Sequence, residues 1–371
     1  MKFNAFSSEL SKKLAVASIA ISPKNIMPVL EDFLLKLEGN NLTINATNLE
    51  ISISLSVEVT GHEDGEIAVS SKLFLDTLRS LPDQPFTFET LDNNLIMITS
   101  SFGKYKMAGD DADEYPSMES IPDSDYVSIN STILKSAIDK TIVAIGESGV
   151  VRPSMTGANF MFDFNKMIVV ATDSHIMVKY SVTGMNFDTS KTFILLHKGL
   201  QLLKNALPED EQVDIFWSNK KVFFRFGDFL ISSSVITDEF PNYNLVIPVD
   251  FENVLYVNRK DLLNSLKRLI LFSNKSFNLV TLNINEDSLT LASEDIEMSH
   301  DATEQMPCKY DGEPVTLGFS AKFFIEILSI LDEEEIKMEF SSPKTPVILK
   351  PIENADNEDI ILLIMPLILK N

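Results

Sequence analysis

The chain has 371 residues, 44% of them hydrophobic, and its 31 basic against 54 acidic side chains give a net charge of −23. So many apolar residues exclude a disordered chain, and so large an acidic excess excludes a surface that grips nucleic acid all round. One cysteine, Cys308, excludes a disulfide framework and suits a reducing cytosol, while His62, His175, His197 and His300 have no metal-ligand spacing. No cofactor is expected.

A strand at Met1-Lys-Phe3 opens the chain, and a helix is predicted over 7–20. Lys12-Lys13 before an apolar run looks like a signal peptide, but Leu10, Leu14, Ala17 and Ile21 form the stripe of an amphipathic helix. Alternation from Ile51 to Val59 predicts a strand, and Ser71-Lys72 starts a helix that closes at Leu81-Pro-Asp83. These elements then recur. Leu42-Thr-Ile-Asn-Ala-Thr-Asn-Leu-Glu-Ile51 returns as Met167-Ile-Val-Val-Ala-Thr-Asp-Ser-His-Ile176 and as Leu289-Thr-Leu-Ala-Ser-Glu-Asp-Ile-Glu-Met298. Helices over 7–20, 130–146 and 258–274 correspond, as do those over 71–81, 197–207 and 320–331. A repeat of about 124 residues therefore occurs three times. Acidic, proline-bearing linkers fall between the copies, at Gly109 to Asp125 and Phe240 to Asp250. The expected fold is α+β: three domains, 1–121, 122–247 and 248–371, each with two helices packed on antiparallel sheets. The last apolar run, Ile360 to Leu369, is far shorter than the ~20 residues a spanning helix needs and holds Pro366, so it reads as a buried strand with an irregular tail.

Positive charge concentrates on the six helices. They carry Lys12, Lys13, Lys72, Arg79, Lys135, Lys140, Lys198, Lys204, Arg259, Lys260, Lys267, Arg268 and Lys322 against Glu9, Asp76, Asp139, Asp261 and Glu326. In the fifth helix Leu262, Leu266 and Leu269 share one face, and Lys260, Asn264, Lys267 and Arg268 lie largely off it. Exposed lysines are common on any helix. Their return in three alike domains leaves a second reading equally open: if the six helices point toward a common surface they form one cationic lining, which attracts phosphates without sequence preference by counterion release.

Short markers run through the whole chain: Met1-Lys-Phe3, Met27-Pro-Val-Leu30, Ala171-Thr-Asp-Ser-His175, Gly227-Asp-Phe229, Phe240-Pro-Asn-Tyr243, Ser273-Asn-Lys-Ser-Phe277, Gly318-Phe319 and Met365-Pro-Leu367. In these the sequence resembles the bacterial sliding clamps, the beta subunits of DNA polymerase III. The resemblance implies a non-catalytic, cytoplasmic replication protein at the nucleoid, working as a head-to-tail homodimer whose twelve helices line a ring around duplex DNA. It implies a dimer interface at Tyr105 and at Leu271-Phe272. Facing DNA it implies Lys12, Lys13, Lys24, Lys72, Arg79, Lys135, Lys140, Arg152, Lys198, Lys204, Lys260, Lys267 and Arg268. It also implies a pocket where the polymerase, clamp loader and repair proteins insert a short apolar motif. That pocket maps onto Met155, Thr172, Ser174, His175, Ile176, Met177, Pro241, Leu245, Val246, Phe277, Ser320, Phe323, Pro346, Leu363, Met365, Pro366, Leu367 and Ile368. Thr172 and His175 are expected to orient the peptide, and the methionines to adapt to several partners.

The chain departs from the family pattern where Ser174, Ile176 and Leu245 replace glycine and two arginines, which makes the pocket more apolar. In the loop that can touch DNA, Gly149, Pro153 and Ser154 replace polar and aromatic residues. An enzyme reading of Asp173, Ser174 and His175 is weak: strand alternation turns Ser174 away from the other two, and no Gly-x-Ser-x-Gly turn surrounds it. No phosphate-cradling glycine loop occurs either. The alternative reading is an acidic scaffold that binds apolar peptides and never touches DNA.

Overall fold

The computed structural model describes residues 1–22, 27–123 and 125–369. In the first repeat β1 (Lys2–Phe6) leads into α1 (Ser7–Ala17), then β2 (Asp32–Glu38), β3 (Asn41–Thr47), β4 (Ile51–Glu58), β5 (Thr60–Glu63) and β6 (Gly65–Ser70). There follow α2 (Ser71–Ser80), β7 (Pro85–Thr90), β8 (Leu95–Ser100) and β9 (Gly103–Asp110). The second repeat gives β10 (Tyr126–Asn130), α3 (Ser131–Thr141), β11 (Gly157–Asp163), β12 (Lys166–Thr172), β13 (Ile176–Thr183), β14 (Lys191–Leu196), α4 (His197–Ala206), β15 (Gln212–Trp217), β16 (Lys221–Phe226) and β17 (Phe229–Ile236). The third gives β18 (Asn253–Asn258), α5 (Arg259–Leu269), β19 (Leu279–Ile284), β20 (Ser288–Asp295), β21 (His300–Pro307), β22 (Lys309–Asp311), β23 (Val315–Ser320), α6 (Ala321–Leu328), β24 (Glu335–Phe340), β25 (Val347–Pro351) and β26 (Glu358–Ile364).

Each leading helix is shorter than its sequence pattern. All three finish as one 3-10 turn, at Ser18–Ala20, Ile142–Ala144 and Ile270–Phe272, which tightens the last turn where carbonyls run out of α-helical donors. Leu10, Leu14 and Ala17 of α1 are fully buried, as are Leu262, Leu266 and Leu269 of α5. Each such leucine contributes about 1.5–3 kcal/mol of apolar burial.

The chain forms two compact units, Met1–Lys135 with Lys198–Val235, and Ser136–His197 with Ile236–Asn371. They cut across the repeats because of how the sheets pair. In the first unit β6–β2–β3–β4 is antiparallel, and β4 continues into β17 (Ile51 opposite Ser233, Leu55 opposite Phe229), then β16, β15 and β10. In the second, β14–β11–β12–β13 continues into β26 (Ile176 opposite Ile364, Val182 opposite Glu358), then β25, β24 and β18. Each junction joins the first half of one repeat to the second half of the next. Two half-sheets lack such a mate: β5–β1–β7–β8–β9 in the first unit and β23–β19–β20–β21 in the second. Among the described residues no strand pairs with the outer side of β21, nor with the side of β9 away from β8 between Gly103 and Ala108.

Two buried charges need explanation. Arg259, counted above with the helix cations, is buried and donates from Nε to the Glu333 carbonyl at 2.6 Å and from Nη1 to the Leu328 carbonyl at 3.2 Å. It satisfies carbonyls at and beyond the end of α6. In the first unit Asp32 is also buried, and its carboxyl is pushed up to about 7, first by burial and then by its hydrogen bond to Asp110 and the charges of Asp110 and Glu31. The unfolded chain binds that proton far less tightly, with an aspartate pKa of about 3.9. The stabilising contribution is therefore full below pH ~4 and lost as pH rises through about 7. Chemical denaturation from pH 5 to 8 should show the protein losing stability relative to Asp32→Asn, by up to a few kcal/mol. A pH-independent difference would contradict this.

Candidate functional site

The recurring Ala-Thr-Asn/Asp segment is a turn with one hydrogen-bond scheme in two copies. The Thr47 and Thr172 hydroxyls donate to the carbonyls of Ile51 and Ile176 (3.0 and 2.7 Å) and accept from the N–H of Leu49 and Ser174. Asn48 Oδ1 accepts from the N–H of Glu50 and Ile51, and Asp173 Oδ1 from those of His175 and Ile176, both at 2.8 Å. The residue between is forced left-handed, with φ of 74° at Leu49 and 80° at Ser174. A non-glycine residue there is strained by roughly 1 kcal/mol, which the fixed turn sustains.

In the second unit this turn forms one side of a cavity of about 310 Å³. Met155, Thr172, Ser174, Ile176, Met177, Pro241, Val246, Leu363 and Met365, nine of the positions onto which the resemblance maps a pocket, line it. Its floor is core: Met177 and Leu363 face each other across the β13–β26 junction and pack with Val170, Ile348 and Ile361. Above the floor Val246 and Met365 are exposed. Arg152, Asn242 and Tyr243 also line the cavity and were not foreseen in it. Arg152 was assigned to DNA, yet it is the one cation among these lining residues. Asn242 and Tyr243 directly follow Pro241, and that adjacency was the available signal.

The other expected pocket residues do not line this cavity. Leu245, Phe277 and Ile368 are strongly exposed, Ser320 is buried just before α6, and Pro346, Pro366 and Leu367 are half-buried. His175 is exposed, and its ring stacks on Phe323 with centroids 4.9 Å apart. The proposed orienting role of Thr172 is restricted, because its hydroxyl proton is committed to the Ile176 carbonyl. Ser174 Oγ lies 3.9 Å from the Met155 sulfur. Asp173 Oδ1 serves the turn and stands 4.0 Å from His175 Nδ1, too long for a working acid–base hydrogen bond.

On the helices Lys12, Lys72, Arg79, Lys198, Lys204, Lys260, Lys267 and Arg268 are exposed. Lys13 lies over the Phe229 ring at 4.6 Å, and Lys135 is half-buried. Lys140 is drawn inward, 3.1 Å from Glu358 Oε2 and 4.6 Å from the Tyr180 ring centre. Arg268 forms a two-pronged pair with Glu304, which lowers the Glu304 pKa chiefly through that hydrogen bond. Lys24 lies outside the described residues. Tyr105 is half-buried on β9, whereas Leu271 and Phe272 are exposed in the turn after α5, with Phe272 edge-on to His300 at the start of β21. Among the described residues no His, Cys, Asp or Glu cluster is arranged to hold a metal, and no helix is long and apolar enough to cross a membrane.

Family models described as the N-terminal, central and C-terminal domains of the DNA polymerase III beta subunit match residues 1–119, 128–242 and 244–367. A beta sliding clamp of Vibrio cholerae is 28% identical over 372 residues, covering 99% of this chain and 100% of that one. A solved structure from Eubacterium rectale, described as a DNA polymerase III beta subunit, is 26% identical with a TM-score of 0.90 over 99% of each chain. A Pseudomonas aeruginosa sliding clamp bound to griselimycin shares the fold, with a TM-score of 0.92 over 100% of each chain at 23% identity.

Proposed function

The chain belongs to the family of DNA polymerase III beta subunits, and on that premise we propose that two copies close head to tail into a ring around duplex DNA. It is a non-catalytic subunit. In this reading each copy contributes clamp domains over 1–121, 122–247 and 248–371. The pocket on β13 and β26 takes short apolar segments of the replicative polymerase, the clamp loader and repair proteins. Holding the polymerase there raises its effective concentration at the primer end.

The open strand edges carry the proposal. In its repeat β21 holds the place of β4 and β13, and β9 holds the place of β17 and β26. The pairings β4–β17 and β13–β26 occur within the chain, so the internal pattern calls for a third, β21 with β9. A second copy supplies it, and the same contact used twice closes a ring. Tyr105 on β9 and Leu271-Phe272 beside β21 then meet across the interface. Exposed helix cations attract phosphates without reading bases, and the acidic remainder repels DNA elsewhere.

Light scattering tests the pairing. A mass near twice 41.5 kDa is expected; a stable species of 41.5 kDa at micromolar concentration would overturn the ring.

A further inference from the structure

We propose that Gly318 is a positioning residue for the pocket: without a side chain there, the segment after β26 lies flat on β23 and holds Met365 in the cavity wall. The inference rests on the pocket reading above. β26 ends at Ile364. Beyond it the Met365 N–H donates to the His175 carbonyl at 2.8 Å, and the Leu367 N–H donates to the Gly318 carbonyl at 2.7 Å. Pro366 between them has no N–H to give. One bond fastens the segment to the turn that builds the pocket, and the other fastens it to β23.

The approach at β23 leaves little room for a side chain. A Cβ on Gly318 would stand 2.6 Å from Leu369 Cδ2, 3.2 Å from Leu369 Cγ and 3.1 Å from the Leu367 carbonyl oxygen. The leucine tip can swing aside, but the carbonyl cannot move without disturbing the neighbouring Leu367 N–H bond. Glycine weakens a strand interior, so its presence here points to this close passage. The first repeat has the same crossing with the glycine on the opposite strand. Ala68 precedes the end of β6 by two residues, as Gly318 precedes the end of β23, and it pairs with Asp110, the residue after Gly109. A Cβ on Gly109 would lie 2.8 Å from the Ala68 carbonyl oxygen. In both repeats one of the two crossing strands carries glycine.

Griselimycin, found on a related clamp, serves as the probe, titrated calorimetrically into the full-length protein. Gly318→Ala should weaken binding about tenfold and Gly318→Val more, with the solution mass unchanged. Adding Leu369→Ala to Gly318→Ala should restore part of the loss, which a general loss of stability would not allow. Wild-type affinity in Gly318→Val would overturn the inference, as would a Gly318→Ala loss that Leu369→Ala leaves untouched. Should the valine variant not fold, the alanine variant and its rescue carry the test. Failure of the unsubstituted protein to bind would instead overturn the pocket reading, and this inference with it.

Discussion

On the pocket reading, Val246→Asp combined with Met365→Asp should lower griselimycin affinity at least about a hundredfold, because binding would desolvate two carboxylates of which Arg152 could partner only one. Both side chains are exposed in the free protein, so the substitutions leave the core strands β13 and β26 intact. The choice matters, since Met177 and Leu363 are buried in the sheet junction and a charge there would disturb folding as well as binding. Arg152 softens the effect for one carboxylate, and so the pair is required. Calorimetry with a thermal melt in parallel separates binding from stability. Unchanged affinity in a folded double variant would remove the cavity from the binding site.

The second large effect concerns assembly. Leu271→Ala with Phe272→Ala should raise the dissociation constant of the dimer at least about a hundredfold, since truncating buried apolar anchors at an interface costs 2 kcal/mol or more each. Leu271 is 66% exposed and Phe272 40% exposed in the single chain, an unusual exposure for two adjacent apolar residues that a second copy would cover. Because they follow α5 rather than lie inside it, the variant should fold normally. Sedimentation across a concentration series reads the shift directly. A dimer as tight as the unsubstituted protein would place the interface elsewhere.

Much of the fold was legible because each repeat states its periodicity clearly. Leu10, Leu14 and Ala17 predicted the buried face of α1, and the run from Ile51 to Val59 predicted β4, which spans Ile51–Glu58. The terminal run also reads correctly as a strand followed by an irregular tail after Ile364. What the sequence hid was pairing between repeats. Strand order within a repeat follows from local hairpins, but nothing local says that β4 continues into β17, about 180 residues away. For the same reason Ile21 completes a helical stripe on paper, although α1 ends at Ala17 and Ile21 takes an extended conformation.

The candidate site was legible only through the family resemblance. The repeat turn shows that Thr172, Ser174 and Ile176 sit at a bend with Met177 on the strand that leaves it, but not that they line a pocket. Residues brought in from distant loops were harder: Arg152 reads as a free cation until the cavity is seen beside it. Burial likewise reassigns charge. Arg259 and Lys140 look alike in a list of helical cations, yet one satisfies carbonyls beyond α6 and the other pairs with Glu358. Composition counts charges, and only packing says which of them face solvent.

The most direct measurement follows the protein on closed circular duplex DNA after loading, by gel filtration in high salt, before and after a single-site nuclease linearises the circle. Encirclement predicts that the protein elutes with the circle, resists salt, and is released once the DNA has ends to slide from. Equal retention on circular and linear DNA, or no retention on the circle, would contradict a topological hold.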